Sequence, residues 1–370
     1  MKKIAKAFLK VILPIVFVLV CLELLMIILE PYFFEGFYQY DPDLGFRVRP
    51  HAPSFDGTLT NQFGFNDVDY PLQKTTGVFR ILVIGDSFSW AGGREGNYTA
   101  VLERMLANRG PRKIEVINAG YPGTHTGEQL ALLRKFGLQY DPDLTVLSFF
   151  VGNDFVDADP DRKRIIVNGI YLDISRRHDY KLLNRPIIPK SRIWLFLKQK
   201  YQIWAETRKA KAEATAKSPG AFTEETYLAI ERARLEFFNV SHSRPSHLQA
   251  NVDYIFGSIA EMDELLKSRN IKLVVAILPD EFQVNQQLFR DIIDRYKLEP
   301  QDYDLKFAQN LLKGFLESRG IPYVDFLDQF QAAGKTQTLY AVRDSHWNAA
   351  GNQLAARILF EDLGGRIPSP

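Results

Sequence analysis

The sequence predicts an α/β protein: a three-layer α/β/α sandwich on a parallel five-stranded sheet, preceded by an apolar N-terminal helix. Three observations carry that reading. Short, largely apolar runs at 81–84, 114–117, 144–150, 271–278 and 321–324 have the length of buried strands. Helix-compatible stretches alternate with them, which argues for a parallel sheet covered on both faces. The first three runs end in turn-forming sequence, at Gly85-Asp86-Ser87, at Asn118-Ala-Gly-Tyr-Pro-Gly123 and at Val151-Gly-Asn-Asp154. The expected strand order is flavodoxin-like, 2-1-3-4-5.

Taken in order, the chain opens with Lys2, Lys3, Lys6 and Lys10 and no acid, then runs from Val11 to Leu29 with Glu23 as its only charge. That length suits a membrane-spanning helix. No small-x-small cleavage site follows, so the segment reads as an uncleaved anchor. Lysines precede the span, and Glu30, Glu35, Asp41 and Asp43 follow it. The positive-inside rule places the N-terminus in the cytoplasm and residues 31–370 outside, in the periplasm or at the cell surface.

Residues 31–78 are rich in Tyr, Phe, Pro, Gly and Asp and read as an extended, turn-rich segment packed beside the sheet. The main domain spans 79–370. Its first helix is expected at Tyr98 to Ala107, where Val101, Leu102, Met105 and Leu106 share a face. Helical periodicity returns at Leu130, Leu133 and Phe136, at about 250–268, at 303–318 and at Ala349 to Leu359. Between the third and fourth strands the chain is far longer than a crossover needs. An insertion at about 155–250 is therefore expected as a cap over the strand ends. It includes Arg162-Lys-Arg, Arg176-Arg and a basic helical stretch from Ser191 to Lys217 with Arg192, Trp194, Phe196 and Trp204. Its basic face is expected to be solvated, with anionic lipid or an acidic glycan as the alternative partner.

Composition narrows the function. The chain has 370 residues, 46% hydrophobic and 24% charged, as in globular proteins. A net charge of +2 carries no nucleic-acid signature. The single cysteine, Cys21, permits no disulfide within the chain and no cysteine metal site. His51, His178, His242 and His247 lack ligand-like spacing. No metal, nucleotide or other cofactor is expected.

The chemistry is expected at Ser87. Open α/β sheets place their ligands at the carboxyl ends of strands. A serine hydroxyl there needs a base, an orienting acid and an oxyanion site to act as a nucleophile. Gly123 and Asn153 follow the next two strands, so a parallel sheet brings them toward Ser87. His346, in Arg343-Asp-Ser-His-Trp-Asn348 just before the last helix, is the fourth point. Asp86 and Asp154 read as turn-stabilising carboxylates, Gly120 as a backbone turn, and His125 as a reserve site residue.

These four blocks together resemble the SGNH, or GDSL-type, serine hydrolases. Gly85-Asp86-Ser87, Asn118 to Gly123, Gly152-Asn153-Asp154 and Asp344-Ser-His346 occur in the family's order, and the likeness covers roughly 79–154 and 271–362. Leu44-Gly-Phe-Arg47 is also similar to membrane-anchored bacterial members. The chain departs in the last block: many members carry the acid three residues before His, where Arg343 stands here. Its Asp-x-His spelling resembles members linked to polysaccharide O-acetylation.

The resemblance implies His346 as general base and acid and Asp344 as the residue orienting it. It implies an oxyanion hole from the N–H groups of Ser87 and Gly123 and the amide of Asn153. It implies a membrane-anchored, extracytoplasmic esterase acting on acyl, above all acetyl, esters of carbohydrate, with polysaccharide-biosynthesis proteins as possible partners. O-acyl transfer, a lipase or thioesterase activity, and non-catalytic glycan binding or assembly are the alternatives.

Overall fold

In the computed structural model, described residues are 2–33, 37–54, 56–108, 110, 112–158, 221–241 and 247–367. Between them, the pairs 164–167 with 170–173 and 181–182 with 185–186 are described, as are residues 191, 193, 194, 197, 200, 201, 204, 205 and 208. Arg162, Lys163, the Arg176-Arg pair, His178, Arg192, Phe196, 209–217 and His242 lie outside this set, as does the side chain of His247.

Contacts divide the chain into two compact units, 1–49 with 161–212, and 50–160 with 213–370. In the first, helix α1 (Lys2–Phe33) contains a stretch, Lys10–Leu29, long and apolar enough to cross a membrane. Its apolar side chains are exposed along their length. This unit also holds three antiparallel two-stranded ribbons, Tyr38–Gln39 with Arg47–Val48, Arg164–Val167 with Ile170–Asp173, and Lys181–Leu182 with Arg185–Pro186, and helical residues at 193, 194, 197, 200, 201, 204, 205 and 208.

The second unit holds the sheet. Its strands are β1 (Phe79–Gly85), β2 (Ile114–Gly120), β3 (Leu144–Phe150), β4 (Lys272–Leu278) and β5 (Tyr323–Asp325). All pair in parallel, in the order 2-1-3-4-5 that the sequence predicts. Every residue of β1, β2 and β3 is buried, as a sheet covered on both faces requires.

Side chains alternate across the strands. Ile81 and Val83 join one core with Tyr98, Leu102 and Leu106 of α2 (Tyr98–Ala107). Leu82 and Ile84 face the other way, onto Gly137 just after α3 (Thr126–Lys135). The remaining helices are α4 (Glu224–Leu235), α5 (His247–Lys267), α6 (Gln286–Tyr296), α7 (Phe307–Ser318), α8 (Leu327–Gly334) and α9 (Ala349–Gly364). The caps explain where two of them begin. Asn97 accepts from Thr99 N–H at 3.0 Å to start α2, and Asn348 accepts from Gly351 N–H at 3.0 Å to start α9.

Residues 50–78 pack on the start of the sheet. Buried Arg80 pairs with Glu115 at 2.8 Å and also donates to the carbonyls of Pro71, Leu72 and Tyr140. A buried guanidinium is tolerable only when its donors are satisfied in this way. Asp67 accepts from Asn118 N–H at 2.7 Å, which pins the same segment to β2.

Candidate active site

Ser87 stands two residues beyond the end of β1, in a turn. Its carbonyl accepts from Trp90 N–H at 3.1 Å and Ala91 N–H at 2.7 Å. Asp86 accepts from Phe88 N–H at 2.9 Å, closing the turn from the other side. Burial pushes the Asp86 carboxyl up to about 6, against the hydrogen bond from Phe88 and the attraction of His346 and Arg234. Gly85 is in register with Gly120 of β2 and Ser148 of β3, so the three strand ends lie side by side.

From β2 the chain turns through Tyr121, whose N–H donates to Gly85 O at 3.0 Å, to Gly123, which has φ +75°. That left-handed conformation suits glycine, and a Cβ there would point into open space. Gly120 is glycine for another reason: a Cβ there would lie 2.4 Å from Ser89 Cβ, on the turn that carries Ser87. Among the described residues, neither Ser87 N–H nor Gly123 N–H makes a hydrogen bond.

Beyond β3, Asn153 begins a single helical turn, Asp154–Asp157. Its Nδ2 donates to Asp157 Oδ2 at 3.1 Å. Buried Asp154 reaches back to accept from Phe150 N–H at 3.0 Å. Burial and the neighbouring Asp86 push its carboxyl well above the usual range.

The last part of the site is a hairpin outside the sheet, β6 (Tyr340–Ala341) and β7 (Asp344–Trp347). Val342 and Arg343 connect the strands, and Arg343 has φ +49°. The position three before His346 is thus spent on a left-handed turn. Asp344 stands two residues before His346, and residues two apart in a strand share a face. His346 Nδ1 lies 2.6 Å from Asp344 Oδ1, and His346 Nε2 lies 2.8 Å from Ser87 Oγ. Burial pushes the Asp344 carboxyl up, but the hydrogen bond and charge of His346 outweigh it and leave the group below its ordinary value. The Phe88 ring packs 5.2 Å from the imidazole and 4.2 Å from Phe150, giving His346 an apolar wall.

Ser345, between them, faces the opposite way and is buried. Its hydroxyl donates to Glu231 Oε1 on α4 at 2.7 Å. That same oxygen takes Arg234 Nη1 at 2.9 Å. Arg234 also lies 3.7 Å from buried Asp280 and 5.2 Å above the Phe150 ring. Tyr340 OH donates to Pro279 O at 2.8 Å, a second fastening. Sequence reading did not single out Glu231, Arg234 or Ser345. An acid and a base three apart within an insertion give no local signal of burial; here both face inward.

The His125 ring packs against Tyr254, with ring centroids 5.6 Å apart. His125 is buried at the start of α3, with its backbone N–H donating to Glu128 at 3.1 Å. No cluster of three or more His, Cys, Asp and Glu with metal-binding geometry occurs among the described residues. A cleft of about 1140 Å³ lies beside the hairpin, reaching Tyr340 and Arg343 but not Ser87 or His346. Gln286, Gln287, Gln331, Gln337, Thr336 and Thr338 contribute to its wall.

Residues 83–354 match the GDSL-like Lipase/Acylhydrolase family. The chain belongs to that family. It is accordingly an ester-hydrolysing enzyme on an α/β/α sheet scaffold. Similar solved structures include an acetyl xylan esterase, AlAXEase, 16% identical over 77% of this chain and 100% of that one, with a TM-score of 0.41. A lipase/acylhydrolase from Enterococcus faecalis is 16% identical over 79% and 98% of the two chains, with a TM-score of 0.40. A GDSL-like lipase from Bacteroides thetaiotaomicron is 13% identical over 78% and 89%, with a TM-score of 0.38. A comparison with curated proteins found no match.

Proposed function

We propose that this family member is a membrane-anchored, extracytoplasmic serine esterase that removes acyl groups, above all acetyl, from carbohydrate. One observation carries the reading: a hydroxyl, an imidazole and a carboxylate joined by hydrogen bonds of 2.8 and 2.6 Å. Ser87 Oγ attacks the ester carbonyl while His346 Nε2 takes its proton. Asp344 holds the proton-bearing Nδ1 and stabilises the imidazolium. The tetrahedral oxyanion is received by Ser87 N–H, Gly123 N–H and Asn153 Nδ2. An amide nitrogen has two hydrogens, so Asn153 can keep one on Asp157 and offer the other. The intermediate collapses, the C–O bond to the sugar breaks, and the departing oxygen takes the proton from His346. Water then repeats the sequence on the acyl-Ser87 ester and releases the carboxylic acid.

The carbohydrate part of the proposal is supported by the amide- and hydroxyl-rich cleft beside the hairpin, side chains suited to hydrogen-bonding sugar hydroxyls. The location is supported by α1 and the lysines that precede its apolar stretch. Covalent capture tests the chemistry. A fluorophosphonate probe should label Ser87, and labelling should vanish in Ser87→Ala and fall sharply in His346→Ala. Equal, slow hydrolysis of a chromogenic acetyl ester by wild type and Ser87→Ala would refute the serine mechanism. Acetate release compared with transfer to a glycan acceptor separates hydrolysis from acyl transfer.

A further inference from the structure

We propose that Ser191, Ile193, Trp194, Leu197, Tyr201 and Trp204 belong to a second membrane-embedded segment, entering the bilayer beside α1 and satisfying the one acid of its apolar stretch. The inference rests on the reading of α1 as an anchor. Glu23 lies six residues before the end of that stretch at Leu29, about 9 Å along the helix at 1.5 Å per residue. A carboxylate at that depth is costly and needs a partner.

The partner is present. Ser191 Oγ donates to Glu23 Oε2 at 2.8 Å, and Ile193 N–H donates to the same oxygen at 3.2 Å. Ser191 Oγ in turn accepts from Trp194 N–H at 3.2 Å, so Ser191 acts as an N-cap. The carboxylate therefore meets the N-terminal end of a helical stretch, where the unpaired N–H groups and the dipole favour an anion.

The surroundings are apolar on both sides. Val16, Leu19, Val20 and Ile27 of α1 form a groove with Ile193, Trp194 and Leu197. A segment that touches α1 between Val16 and Ile27 lies at the depth of those residues. If α1 spans the bilayer, this segment is in the bilayer too.

The surface left exposed beyond that groove agrees. Trp194, Leu197, Tyr201 and Trp204 are all more than half exposed, and their spacing of three and four makes one helical stripe. The Arg208 guanidinium lies 5.3 Å above the Trp204 ring. Trp and Tyr beside basic residues are the composition of membrane interfaces, where long cations reach toward headgroups. The occupant of this face is the phospholipid of the bilayer that holds α1.

The chain has four tryptophans. Trp90 and Trp347 are buried in the sheet unit, whereas Trp194 and Trp204 are exposed. Intrinsic fluorescence therefore reports directly on the segment. The full chain would be reconstituted in phosphatidylcholine–phosphatidylglycerol vesicles, with and without brominated acyl chains, and also tested for extraction by alkaline carbonate. Resistance to extraction, together with bromolipid quenching that disappears in a Trp194→Phe/Trp204→Phe variant, is the expected result. Resistance to extraction with no bromolipid quenching overturns the inference and leaves the anchor intact. In that outcome, iodide quenching identifies a water-exposed stripe, and resistance to both quenchers identifies a protein-covered one. Release by carbonate overturns the anchor reading itself.

Discussion

Ser87 and His346 reach one hydrogen bond from two regions built on different principles. The Ser87 side continues directly from a buried parallel strand, and its turn is closed by main-chain hydrogen bonds and by the side chains of Asp86, Asn97 and Asn118. The His346 side is a two-stranded hairpin outside the sheet, held by side chains: Ser345 on Glu231, Glu231 on Arg234, and Tyr340 on a carbonyl. A region that continues from a central strand is fixed by the sheet as well as by its side chains. A side-chain-built region transmits distant substitutions to its tip, because a misplacement of about 1 Å costs about 10²-fold in rate.

The largest expected effects break the comparison at its meeting point. Ser87→Ala and His346→Ala should each lower turnover of an acetyl ester by about 10⁴-fold or more, and the double variant should lose little further, because the two act as one unit. Next, Asn153→Ala should cost about 10²–10³-fold in kcat, the usual loss for one oxyanion donor. A smaller loss would remove Asn153 from the oxyanion site.

The sharpest contrast is between two buried serines. Ser345→Ala should lower kcat by about 10–10²-fold with KM unchanged, and Ser345→Thr, which keeps the hydroxyl, should restore it. Ser89→Ala, on the other side, removes a 2.7 Å hydrogen bond to Tyr98. It should cost about 1 kcal/mol of stability with kcat nearly unchanged. Equal kinetic effects from the two serines would erase the distinction drawn here.

The last expected effect is in stability and depends on pH. Burial raises the Asp86 carboxyl from 3.8 to about 6. Between those values the native state holds a proton that the unfolded chain has released, so stability falls as pH rises through this window. The loss is complete above about 6. Asp86→Asn stays neutral and keeps an acceptor for Phe88 N–H. It should therefore raise the melting temperature at pH 7.5 and have little effect near pH 3.5.

The two regions were also unequally legible. The strand runs, their parallel order and the turns bearing Ser87, Gly123 and Asn153 are local patterns, and the structure has the predicted order. Strand limits shifted by a few residues: β1 begins at Phe79 rather than Ile81, and β5 begins at Tyr323 rather than Ile321. Pairing extends or trims a strand according to its neighbour's length, which a local pattern does not contain. Asp344 and His346 were visible as a motif, but the reason for their spacing was not. Arg343 occupies a left-handed turn because the hairpin reverses there, and Ser345 is turned inward onto Glu231 from a helix more than a hundred residues earlier.

Sequence alone thus determined the strand–helix alternation, the glycine-marked turns and the apolar N-terminal helix, because periodicity, backbone freedom and hydropathy are properties of neighbouring residues. Tertiary structure alone decided which distant groups pair with buried carboxylates and which way each faces: Glu231 toward Ser345, Glu115 toward Arg80, Glu23 toward Ser191. The physical reason is that burying a charge is costly until a partner arrives. Those partners come from chain segments that only folding brings together.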